Sequence, residues 1–243
     1  MNSDNWTVEE YYSIRDDVHD YLTDLMYSKR PNTYDLLNPT HKNIVNNYAN
    51  LVYQNSKLIE PSISMDLVEL TNINPGELTS FEHRLKTLSS IRRKIIADSK
   101  DYDGSYYRAA HNLIDAIRYT IILEDDEYLE MVDDYLHQLE DRGYQVLDVK
   151  NNWGKPFYQG INTRICSKNG DVIFEVQFHT PVGYQIKEKN TRDLYQVIRD
   201  ENAPLELRVR ANKLRKLLQT RVIAPDGIID YEYNSNIRRR SSK

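Results

Sequence analysis

Apolar residues recur at three- and four-residue intervals near the start of the chain, where Tyr11, Ile14, Val18, Leu22 and Leu25 make one stripe. That spacing predicts an amphipathic helix over residues 5–29. The prolines of "RPNTYDLLNPT" break it. A second helix is predicted over residues 41–58, with Ile44, Tyr48, Leu51 and Val52 on its buried side. "EPSISMDLVELTNINPGE" then reads as a connector, ending in the turn pair Pro75–Gly76. A long helix is predicted over 78–99. Thr79 or Ser80 is its candidate N-cap, and Glu82 lies at capping-box distance from Thr79.

Beyond the "DYDGS" loop the period changes. A short helical piece leads to a strand over 116–123, followed by an acidic helix that Gly143 ends. Strands are predicted over 145–149, 159–166 and 172–178. "KNGD" places Asn-Gly between the last two, a strong hairpin signal. Helices over 182–200 and 203–220 precede the basic tail "NIRRRSSK". Helices, then a strand–helix–strand–hairpin block, then helices make a mixed α+β fold with a small sheet and helical flanks.

Composition narrows the class. Hydrophobic residues make up 40% of the 243 and charged residues 28%, a balance that supports a packed core. The longest apolar runs, such as "YTIIL", are far short of a membrane span of about 20 residues. The polar, acidic N-terminus does not read as a secretory signal. The lone cysteine, Cys166, makes no internal disulfide, so a reducing, cytoplasmic setting is expected. The histidines lack metal-site spacing. The net charge of −5 argues against a general grip on nucleic acid, so phosphate binding would need a local basic patch.

Four stretches carry candidate chemistry. In "HRLKTLSSIRRKI", read as helix, Leu85, Leu88, Ile91 and Ile95 share one face. Lys86, Ser90 and Lys94 fall beside it, with Arg84 at the edge. Such a face can hold a polyphosphate by charge-assisted hydrogen bonds, or be an ordinary solvated basic face. "DAIRYTI" sets Asp115 and Arg118 where a strand begins. An acid there can hold Mg²⁺ that shares phosphate ligands, or simply pair with the arginine. In "FEVQFHT", alternation puts Glu175 and Gln177 on one face and Phe174, Val176 and Phe178 on the other. His179 shares the phenylalanine face or marks the strand's end, and the polar face lines a site or solvent. "GKPFYQGIN" opens a strand with Lys155, which can meet phosphate, and Tyr158, which can stack on a base or pack in a turn.

In this order the stretches resemble the RelA/SpoT nucleotide synthetase family over roughly residues 78–200. Arg84, Lys86, Ser90 and Lys94 meet its Arg-x-Lys-x-x-x-Ser-x-x-x-Lys pattern. Tyr158, Gly160, Ile161 and Asn162 meet its tyrosine strand, and Glu175, Val176, Gln177, His179 and Thr180 meet its Glu-x-Gln motif. The resemblance implies a nucleotidyltransferase-like domain over 76–222, after a helical region 1–75 and before a tail 223–243. It implies transfer of pyrophosphate from ATP to an acceptor's 3′-hydroxyl, with Mg²⁺ held by Asp115 and Glu175. Arg84, Lys86, Ser90, Lys94 and Arg118 would hold ATP. Lys155, Tyr158, Asn162, Gln177 and His179 would shape the acceptor pocket, and Glu175 would activate the hydroxyl.

Asp115 and Arg118 stand three apart where the family has five, Phe157 stands where it often has glycine, and Asn162 where it more often has histidine. No companion hydrolase pattern is present in the sequence. The expected partners are ATP and an acceptor nucleotide, GDP, GTP or an adenine nucleotide. Short members that act on the tRNA 3′ end leave tRNA open as acceptor, which the basic run "RVRANKLRKLLQTR" would suit. An antitoxin or regulator and a homo-oligomer also stay open, as does an inactive nucleotide-binding module. No membrane partner is expected.

Overall fold

The computed structural model describes residues 7–28 and 32–234. Both ends of the predicted first helix, and the tail from Ser235 onward, lie outside the described residues. Those described are mixed α+β and fall into two compact units. One comprises residues 7–28, 154–159 and 181–224; the other comprises 32–153, 160–180 and 225–234. The stretch 1–75 therefore contributes to both.

The first unit is helical. Helix α1 (Val8–Tyr27) starts at a Thr7–Glu10 capping box, which satisfies two backbone donors at once. It packs on α7 (Arg192–Arg199) and α8 (Leu205–Gln219) through Ile14 and Val18. Tyr21 donates to Asp200 at 2.6 Å, and Arg210 reaches Asp17 at 2.6 Å. The single helix predicted over 182–200 is instead three pieces. These are α6 (Pro181–Gln185), a π-helical turn (Ile186–Asn190) and α7, with Thr191 buried at the break.

The second unit holds the sheet. Its helix α2 (Pro39–Ile73) runs straight through the segment read from sequence as a connector, with Pro61 inside it. An interior proline costs a helix about 3 kcal/mol. Ile63, Leu67 and Leu70 beyond it are fully buried, each contributing about 1.5–3 kcal/mol, so burial outweighs the breaker. The second correction concerns residues 78–99. Glu77–Thr79 is a strand, β1, followed by a left-handed Ser80 and a 3₁₀ turn (Phe81–His83). Arg84 caps that turn in a helical conformation, and Leu85 then makes an antiparallel bridge to Ile117. Only Leu88–Ser99 is helix, α3, capped by Thr87 accepting from the Ser90 amide. Antiparallel pairing of β1 with β2 (Arg118–Ile122) gives that stretch the backbone bonds a helix would have supplied.

After α3 come α4 (Tyr106–His111), β2, α5 (Tyr128–Asp141), β3 (Gln145–Asn151), β4 (Ile161–Cys166) and β5 (Ile173–His179). The sheet order is β1-β2-β5-β4-β3, with β5 central, parallel to β2 and antiparallel to β4. One face is apolar, with Tyr119, Ile121, Phe174, Val176, Phe178, Ile161 and Ile165 all buried. Tyr135 of α5 meets Phe178, and Tyr119 bonds Ser64 of α2, so both helices cover this face. Alternation leaves Arg118, Glu175, Gln177, Asn162 and Arg164 on the other. No helix among the described residues is long and apolar enough to cross a membrane.

Candidate active site

The polar face is built around two carboxylates. Asp115 lies just before β2, and its Oδ2 accepts from Lys86 at 3.0 Å and from Arg118 Nη2 at 2.7 Å. Lys94 of α3 stands 4.0 Å from Oδ1 and pairs with Asp98, one turn on, at 3.0 Å. Arg118 also turns its Nε to Glu175 Oε2 at 2.8 Å, so one guanidinium joins both acids. The three-residue spacing of Asp115 and Arg118 therefore keeps them in contact. Glu175 is only 6% exposed. Its Oε1 accepts from Asn162 at 2.7 Å and its Oε2 also accepts from Gln177 at 3.0 Å. Asn152, in turn, donates to Asn162 Oδ1 at 3.2 Å, which sets the amide's orientation.

Burial of Asp115 works to raise its carboxyl pKa, but Lys86, Arg118 and Lys94 outweigh it and hold it below the usual carboxylate range. Lys86 is pulled below the usual lysine value, by burial first and then by the nearby Arg118 charge. Burial opposes the charge on Lys94, yet Asp115 and Asp98 together raise it. The lysines thus differ: half-buried Lys86 has one carboxylate, Asp115, and Lys94 has two, Asp115 and Asp98.

Not every expected residue joins this cluster. Arg84 and Lys86 come from the bridged segment before α3 rather than from a helix face shared with Ser90 and Lys94. Arg84 is held by the buried Glu60 of α2 and covers the Phe81 ring at 4.1 Å. Glu60 also accepts from Ser64, and this network holds its carboxyl below the usual range although burial works to raise it. Ser90 accepts from Arg93 at 3.2 Å and lies 3.0 Å from the Thr87 hydroxyl. Lys155, exposed, and Tyr158, half-buried, lie in the loop of the helical unit. Gln159 closes that loop, donating to the Lys155 carbonyl at 2.8 Å. In the same unit, three of the six cations of the basic run are engaged. Arg210 reaches α1, Arg208 donates to the Ile198 carbonyl, and Arg215 lies over Tyr195 and Phe157.

His179 closes β5, fully buried, and alternation sets it on the side of Glu175 rather than of the phenylalanines. Gly160 explains the small residue in the tyrosine-strand motif. Its φ is +153°, and a Cβ there would lie 2.8 Å from His179 Cε1 and 2.9 Å from the Phe178 carbonyl. Gly160→Ala is expected to destabilise the fold by roughly 2–4 kcal/mol. Thermal denaturation should register this as a fall in Tm on the order of 10 °C.

Three polar residues of this unit escaped the sequence reading: Glu60, Asn152 and Arg164. Glu60 was hidden by the misplaced connector. Arg164 had a signal, since pairing the hairpin symmetrically about Asn169–Gly170 sets Arg164 opposite Glu175, as the register does.

A divalent ion has a partial fit. Asp115 Oδ1 is buried and accepts no hydrogen bond, and Glu175 stands across Arg118 from it. Among the described residues no three His, Cys, Asp or Glu side chains gather as a cation cage. The donor set suits an ion that brings phosphate ligands with it.

No family model matches the chain, and no curated protein matches it. Solved structures do. A GTP pyrophosphokinase family protein from Streptococcus pneumoniae is 13% identical, with 76% of this chain and 90% of that chain covered at a TM-score of 0.42. The small alarmone synthetase 1 from Bacillus subtilis bound to its product pppGpp is 12% identical, covering 75% of this chain and 93% of that one at 0.44. The same synthetase bound to AMPCPP is 13% identical, covering 75% and 92% at 0.37.

Proposed function

We propose that the chain transfers pyrophosphate from ATP to the 3′-hydroxyl of an acceptor nucleotide. The observation that carries the reading is the chain of contacts from Lys86 and Lys94 through Asp115 and Arg118 to Glu175. It sets cations for a triphosphate beside a carboxylate for a hydroxyl.

In the reaction the acceptor oxygen attacks the β-phosphorus of ATP. The bond between the β-phosphorus and the oxygen bridging to the α-phosphorus breaks, and AMP leaves with the electron pair. Lys86, Lys94 and Arg118 offset the charge on the phosphates, and Glu175 accepts the hydroxyl's hydrogen bond and takes its proton. Asn162 and Gln177 keep the Glu175 carboxylate aimed. Mg²⁺ arriving with ATP would be held by Asp115 and Glu175 and would neutralise phosphate charge. Arg84 and Ser90 as further ATP contacts, and Lys155, Tyr158 and His179 as acceptor contacts, rest on the sequence resemblance. Engagement of Arg208, Arg210 and Arg215 within the protein takes half of the basic run's cations from a tRNA backbone, which favours a free nucleotide as acceptor.

Incubation with Mg²⁺, ATP labelled at the γ-phosphate and each of GDP, GTP, ADP or tRNA tests this by thin-layer chromatography. Label is expected on a nucleotide. Label on tRNA alone would move the acceptor, and nucleotide binding with no transfer to anything would leave a binding module.

A further inference from the structure

The row of charges across the sheet does not close. Arg118 on β2, Glu175 on β5 and Arg164 on β4 are register partners in turn. An acid between two arginines would ordinarily pair with both. Here Glu175 Oε1 accepts from Asn162, and Oε2 accepts from Gln177 and pairs with Arg118, while neither oxygen pairs with Arg164. Arg164 is left over. Its Nε is buried and has no hydrogen-bond partner. Its other register neighbour, Asp148 on β3, is exposed. Among the described residues no ion pair joins Arg164 to Asp148 or to Glu175. Lys150, the partner of Asn162, adds an exposed cation to the same face.

A half-buried guanidinium without a counter-ion is costly to keep unless an anion arrives to meet it. Its planar fork fits phosphate oxygens two at a time. Position says which phosphate. The donor triphosphate, on the reading above, belongs to Lys86, Lys94 and Asp115, on the β2 side of Glu175. Arg164 stands on the opposite flank, one strand spacing of about 4.8 Å away. That is comparable to the span from a ribose 3′-oxygen to its 5′-phosphate. An acceptor whose 3′-hydroxyl meets Glu175 can therefore reach Arg164 with its 5′ end.

We infer that Arg164 binds the 5′-phosphate group of the acceptor, and so selects a free 5′-phosphorylated nucleotide over a nucleoside or the 3′ end of a nucleic acid. This rests on the proposed transfer reaction, and its test is separable from it. Binding of guanosine, GMP and GDP, and of adenosine, AMP and ADP, would be measured by calorimetry. A non-hydrolysable α,β-methylene ATP would be present to occupy the donor side. For wild type, affinity is expected to rise with 5′-phosphate number in at least one series. Arg164→Gln should weaken the diphosphate by tenfold or more and leave the nucleoside unchanged, and Arg164→Lys should keep part of the gradient. Thermal melting establishes that each variant is folded, and the lysine variant carries the test if the glutamine variant is not.

A gradient that survives in Arg164→Gln, an equal loss for nucleoside and diphosphate, or no binding in either series overturns the assignment. If the gradient depends on Arg164 but no pyrophosphate moves, the transfer reaction falls and Arg164 stands as a nucleotide-phosphate contact. If transfer proceeds and Arg164→Gln leaves it and the gradient untouched, only the Arg164 assignment falls.

Discussion

Asp115→Asn is expected to abolish most pyrophosphate transfer and to destabilise the protein, with a signature in pH. The change keeps the side chain's shape and removes the one carboxylate that Lys86, Lys94 and Arg118 share. Three part-buried cations would then face a neutral amide. Removing one partner of a buried ionic cluster costs about 3–5 kcal/mol. Arg118 and Lys94 keep about a third of their side-chain surface exposed, so about 2–3 kcal/mol is expected here. Transfer should fall on the order of 10²–10³-fold, as when one preorganised charge contact is lost.

The Asp115 carboxyl has a lower pKa in the folded chain than in the unfolded one, so at acid pH the unfolded state binds more protons. Its stabilising contribution is full above the unfolded value of about 4 and is lost as pH falls through the folded value. Urea unfolding followed from neutral pH down to about pH 3 should show wild type losing stability and Asp115→Asn losing less. Glu60 and Asp66 are depressed as well, so part of the slope remains in the variant. Coinciding pH profiles for the two proteins would remove the shared-carboxylate account.

Glu175→Gln is expected to lower transfer on the order of 10²–10⁴-fold, the range for a lost general base. ATP binding should weaken less than transfer, since Lys86, Lys94 and Asp115 are untouched and only the Arg118 pairing and one Mg²⁺ contact are lost. Glu175→Ala should lose the same activity and also about 2–4 kcal/mol of stability. It strands the Asn162 and Gln177 amides and one side of Arg118 in a buried place. Chemical denaturation separates the variants: the glutamine form, which keeps one acceptor oxygen and the side chain's volume, should lose less stability than the alanine form. A glutamine variant with full transfer would take Glu175 out of the chemistry.

The sheet half of the fold was legible because its signals are local and of short period. Alternation in "FEVQFHT", the Asn-Gly turn and the acidic helix before Gly143 each fix their own element. What could not be read depended on burial far along the chain. Pro61 reads as a breaker until Ile63, Leu67 and Leu70 are seen packed beneath the sheet. The stretch 78–87 reads as helix until β2 offers it a pairing edge. The same limit divides the candidate residues. Asp115, Arg118, Glu175, Gln177 and Asn162 sit on strands or at their ends, and register gathers them. Arg84 was placed by a helical wheel that does not exist there, and its carboxylate partner lay in a segment read as loop. Asn152 and Arg164 are ordinary polar residues by type, and only their cross-strand neighbours give them meaning.

The parallel pairing of β2 with β5 has a kinetic consequence. The hairpin of β4 and β5 closes over the six residues 167–172 and can form among neighbours, bringing Asn162, Arg164, Glu175 and Gln177 together early. Arg118 and Asp115 can join them only after the intervening helix and hairpin have been laid down and a long loop has been closed. The half that would receive the acceptor is assembled from local contacts. The contacts among Lys86, Lys94, Asp115 and Arg118 are local too, so the pairing of β2 with β5 is the step that joins the two halves of the candidate site.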